Sequence, residues 1–106
     1  MVAPAGLELQ FHKEMVSIYQ TARDECGYNA TRFLNMVAND GGLHTAHVLL
    51  ATDEPSDGFE KLWECGRLDL TVENLVLNPM YRELFSESEL EVAKQRLSAL
   101  GFVVQN

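Results

Sequence analysis

Two histidines separated by two residues, His44 and His47, come closer to a metal-ligand spacing than any other residues of this chain. Helical positions i and i+3 share a face, so the two imidazoles could meet one ion. A catalytic zinc centre needs three protein ligands and a structural one needs four. No third ligand stands at motif spacing, although the fold could deliver Asp40, Cys65 or His12. The plainer reading places one histidine near a helix start and the other on its half-buried flank. Cys26 and Cys65 suggest a second chemistry, a thiolate assisted by histidine. Neither has a local signature, and each falls near a predicted helix C-terminus, where the helix dipole disfavours a thiolate. Without framework spacing or an export signal, both cysteines read as reduced and partly buried. Gly41-Gly42 is not a phosphate cradle, because it lacks a following lysine and the GxGxxG spacing. Sixteen acidic residues are present, yet no carboxylate pair stands out from a solvated face. The chain is therefore expected to be non-enzymatic and to need no cofactor.

The elements that would position these groups read as helices throughout. Leu7, Phe11, Met15, Ile18, Ala22 and Cys26 form one apolar stripe at helical period, ended by Gly27. Leu9 and Val16 lie roughly opposite, so this first helix is central or presents a second face, where two copies of the chain could pair. Asn29 is placed to cap a second helix that buries Ala30, Phe33, Leu34 and Val37 and ends at left-handed Gly41-Gly42. A third helix spans about 43–52. The loop signal Asp53-Glu54-Pro55-Ser56-Asp57 precedes a short helix that buries Phe59, Leu62 and Trp63. Thr71 opens a segment, Val72–Leu77, that is apolar almost all round. Pro79 suits a helix first turn. Ser86 and Glu89 form a capping box, and Gly101-Phe102 fits a Schellman ending. No stretch alternates at period two. The expected fold is a compact all-α bundle of six to seven short helices, with a flexible lead-in over 1–6 and one domain over 7–106.

Charge narrows the partners. The net charge is −8; residues 1–52 carry five acids and three bases, and residues 53–106 carry eleven acids and five bases. A nucleic-acid backbone repels such a surface, so direct nucleic-acid binding is not expected. The second and third helices have the outline of a helix-turn-helix, but the would-be reading helix has no Lys or Arg. No segment is apolar enough to span a bilayer, and the setting reads as cytoplasmic.

The segments Gly27-Tyr28-Asn29-Ala30-Thr31-Arg32-Phe33-Leu34, Gly41-Gly42-Leu43 and Gly58-Phe59 to Pro79 together resemble a family of small bacterial helical proteins. The last of these contains GRLDLTVENLVLNP. The resemblance extends over about 15–102. It implies a helical domain of bacterial or phage origin, near defence or anti-defence genes, and transfers no catalytic residue.

The function expected is contact with another protein, basic or nucleic-acid-binding. Its surface would be drawn from Leu9, Val16, Asn29, Arg32, Arg67, Asp69 and Glu73. Arg67 with Asp69 or Glu73 reads equally as a structural ion pair. An alternative is an acidic inhibitor that mimics nucleic acid through Asp53, Glu54, Asp57, Glu60, Glu64, Glu87 and Glu91. A second alternative is a metal protein or enzyme built on His44 and His47.

Overall fold

The apolar stripe of the first helix is the surface over which the other elements close. The computed structural model describes residues 4–52 and 57–102, and in it Phe11, Met15, Tyr19 and Ala22 are buried along α1 (Pro4–Cys26). The helix begins at Pro4, where a missing N–H costs nothing, so the expected lead-in is helical over 4–6. Five more helices follow: α2 (Thr31–Asp40), α3 (Gly42–Ala51), α4 (Asp57–Glu64), α5 (Val72–Val76) and α6 (Glu87–Ala99). Single 3-10 turns cover Leu68–Leu70 and Arg82–Leu84, and the described residues contain no strand. The architecture is an all-α bundle.

One apolar core draws on all six helices. It includes Phe11 and Met15 of α1, Val37 of α2, Ala46 of α3, Phe59 of α4, Val76 of α5 and Leu97 of α6. Phe11 meets the rings of Tyr81 and Phe85 edge-on, with centroids 5.2 and 5.4 Å apart, an arrangement that the ring quadrupoles favour. The Tyr81 hydroxyl donates to Glu14 at 3.0 Å. Burial, reinforced by that carboxylate, pushes its pKa up to about 12. A smaller cluster of Ala22, Leu62 and Leu70 holds α4 against the end of α1. Of the second face expected on α1, Val16 packs against the main core and only Leu9 stays open, at 55% exposed.

Helix ends follow local chemistry where the sequence signals were local. Thr71 accepts from the Asn74 N–H at 3.1 Å, Ser86 and Glu89 form the reciprocal capping box, and Phe102 N–H donates to the Leu97 carbonyl at 3.0 Å. Two expectations change. The N-cap of α2 is Ala30, which has no side-chain acceptor, because Asn29 Oδ1 instead accepts from the Tyr19 hydroxyl at 2.8 Å. Asn78-Pro79 opens a tight turn, with Asn78 Oδ1 accepting from Met80 N–H at 2.9 Å, and not a helix.

The junction of α2 and α3 uses its two glycines differently. Gly41 has φ +88°, donates its N–H to Val37 and accepts from Thr45, so one residue ends α2 and begins α3. Gly42 has no positive φ; it is the buried first residue of α3, and its N–H donates to His12 Nδ1 at 2.9 Å. A Cβ there would lie 2.8 Å from the His12 Cα. Contact with backbone cannot be relieved by a rotamer change, so Gly42→Ala should separate α1 from α3 and cost about 1–3 kcal/mol. Chemical denaturation of Gly42→Ala against wild type measures that loss. Gly6→Ala, also in a helix but where the added atom meets nothing within 4 Å, is the clash-free control and should keep or slightly raise stability.

A candidate binding cleft

A concavity lies where α1, α2, α3, α4 and α5 approach without closing. Its volume is about 370 Å³, within the range of small-molecule sites. Ile18 and Ala22 of α1, Phe33 and Met36 of α2, Val48 and Leu49 of α3, and Phe59 and Leu62 of α4 form the walls. Ala22, Phe59 and Leu62 belong to the core clusters, while Ile18, Phe33, Met36, Val48 and Leu49 are the less buried neighbours that border the gap. Tyr28 packs across Gly58 at one end, where a Cβ would approach its ring at 3.0 Å. Val48 remains 38% exposed.

The charge inside the cleft is closed off. Glu73 is buried, 4% exposed, and its Oε2 accepts from Arg96 Nη1 at 3.0 Å. Burial pushes the Glu73 pKa up, while Arg96 pulls it back only in part. Arg96 is itself buried and donates to the carbonyls of Leu49 and Thr52 at 3.1 and 2.6 Å. Both carbonyls lie at the end of α3, and that of Leu49 also accepts from Thr52 Oγ1 at 2.8 Å. Arg32, at the rim on the first turn of α2, is exposed and makes no ion pair among the described residues.

The structure brings few of the predicted contact residues together. Arg32 and Glu73 both line the cleft, but Glu73 is a buried ion-pair partner and not a surface group. Arg67 is spent at another corner, on Asp69 at 3.0 and 3.1 Å and on Glu25. Asn29 holds Tyr19, and Leu9 and Val16 lie outside the cleft lining. Of the acidic set, Glu60 and Glu64 are exposed on α4 and Glu87 and Glu91 on α6; Asp57 opens α4, and Asp53 and Glu54 lie outside the described residues. His44 is exposed. His47 stacks near Phe85 and meets Glu89 Oε2 at 2.5 Å. Burial raises the Glu89 pKa, but hydrogen bonds from His47 and Ser86 outweigh it and hold the carboxyl below its ordinary value. No group of three or more His, Cys, Asp or Glu among the described residues is arranged to hold a metal ion.

The cysteines are a correction. Cys26 and Cys65 form a disulfide, with Cα atoms 6.0 Å apart. Sequence reading made them reduced and buried. In the structure they terminate α1 and the turn after α4, side by side, with Cys26 half-buried and Cys65 exposed. A structural disulfide is uncommon in the reducing cytoplasm, the setting expected from the sequence. Among the described residues, no helix is long and apolar enough to cross a membrane.

No family model, curated protein or solved structure matches this chain. The likeness to small bacterial helical proteins therefore rests on its motif residues alone, and the cleft has to be read from its own chemistry.

Two stability predictions follow from the cleft walls. Removing Arg96 leaves a buried carboxylate without its cation, so Arg96→Met should cost about 3–5 kcal/mol at neutral pH. A carboxyl whose folded pKa lies above its unfolded value takes up a proton on folding. Its contribution is greatest below the unfolded value and is lost as pH rises through the folded one. Without Arg96 the Glu73 pKa rises further, so the penalty should shrink from pH 8 toward pH 5, which urea titrations at both values would show. Reducing the disulfide should cost about 2–4 kcal/mol through the freed loop, with amide exchange in α4 accelerating more than in α6.

Proposed function

We propose that this chain is a small binding module that acts by contact with another protein and not by catalysis, with the cleft-bearing face as its contact surface. The observation that carries this reading is the character of the cleft. Its walls are mostly apolar, and its one buried carboxylate is committed to Arg96, which leaves no unengaged acid, base or nucleophile among the described lining residues. Such a site gains free energy by removing apolar surface from water, and Arg32 and Val48 at the rim give it polarity and an exposed apolar edge. The resemblance to bacterial helical proteins fits a recognition role and adds no activity.

Immobilised wild-type protein, Val48→Asp and Leu9→Asp are compared for proteins captured from nuclease-treated bacterial lysate at low and high salt, with circular dichroism confirming helicity. A partner lost with Val48→Asp, kept with Leu9→Asp and retained at high salt is the expected result. A partner that both variants retain would remove the cleft from the contact. One that is lost at high salt, and on neutralising Glu60, Glu64, Glu87 and Glu91, would replace this reading with the acidic mimic.

A further inference from the structure

We infer that the interior of the cleft is a binding site for an amphiphilic monoanion, an unbranched alkyl carboxylate whose chain lies among Ile18, Phe33, Met36, Leu49 and Phe59 and whose head meets Arg32. The inference rests on the cleft being the recognition site and adds the ligand it takes.

The chemistry of the lining sets the tail. A polar ligand entering between Ile18, Phe33 and Phe59 would lose its hydrogen bonds to water against apolar walls. The lining hydroxyls of Tyr19 and Thr71 already donate to Asn29 and Leu68. Glu73, the buried charge on that wall, is already bonded to Arg96. A volume of about 370 Å³ holds a single flexible chain and not a folded element.

The rim sets the head. Arg32 sits at the mouth, exposed and without an ion pair among the described residues. The first turn of α2, which carries it, contains no acidic residue. A guanidinium is matched geometrically to a carboxylate, which it can hold through two parallel hydrogen bonds. The charge of the whole chain, −8, limits how much anion this one cation can attract. A polyphosphate or an acidic protein surface would meet repulsion from every side, whereas a single charge on a small ligand meets little. An apolar chain that carries one negative charge satisfies both halves of the site.

Titration of 15N-labelled protein with decanoate, 1-decanol and decyltrimethylammonium, all below their aggregation concentrations, tests this. Decanoate should bind saturably, shift amides of the cleft walls, and bind roughly tenfold more tightly than the alcohol or the ammonium. Arg32→Gln should reduce decanoate to the level of the alcohol, Arg32→Lys should restore part of the difference, and Val48→Asp at the open rim should weaken all apolar ligands. Equal binding of decanoate and decanol, unaffected by Arg32→Gln, would overturn the acid recognition and leave the cleft as an apolar contact site. Shifts outside the cleft, or no binding of any probe, would also overturn the inference. The proposed protein contact is decided separately by the capture comparison.

Discussion

Two ions out of water, Glu73 on α5 and Arg96 on α6, tie three helices together through one guanidinium. Arg96 neutralises the carboxylate of α5 and at the same time takes the carbonyls with which α3 ends. Desolvating a carboxylate and a guanidinium costs more than their attraction alone returns. The arrangement holds because Arg96 adds hydrogen bonds to the Leu49 and Thr52 carbonyls to its pairing with the carboxylate. The main core can therefore close over a charged centre, and the α3 and α5 walls of the cleft are held in a fixed relation. Burial pushes the Glu73 pKa up, and the hydrogen bond from Arg96 opposes that rise.

What the sequence made legible was local. Thr71, Ser86 with Glu89, and Gly101 with Phe102 act over three to five positions, and their hydrogen bonds form as their types require. The stripe of α1 and the apolar run of α5 were readable because periodicity is a property of one segment. The bundle class followed from those segments. The illegible features all depend on residues distant in the chain. Asn29 is a sound N-cap by type, but Tyr19 needs an acceptor and takes it. His12 reads as a residue between two stripes, yet it serves as the acceptor for the first N–H of α3. Glu73 reads as a contact residue or a partner of Arg67, whereas its cation is Arg96, 23 residues away. The cysteine pair carried no spacing signal because only the docking of α4 on the end of α1 brings the two together.

The same distinction separates the cleft from the core. Phe33, Met36 and Val48 lie on flanks of their helices, and a single helical wheel cannot tell a flank that meets a neighbour from one that borders a gap. The gap is a property of five helices meeting. Arg32 becomes informative only beside it, since an exposed arginine on an otherwise polar surface would carry no message.

The bridge between Cys26 and Cys65 also divides the chain mechanically. It closes a covalent ring around α2, α3 and α4, while α1, α5 and α6 lie on the tails that leave it. Tension applied to the two ends travels along the tails and crosses the molecule through the sulfur atoms, bypassing the ring. With 39 residues of separation held back, about 130 Å of contour, at ~3.4 Å per residue, cannot be pulled out. Three of the helices that wall the cleft are thereby excluded from the path of the load.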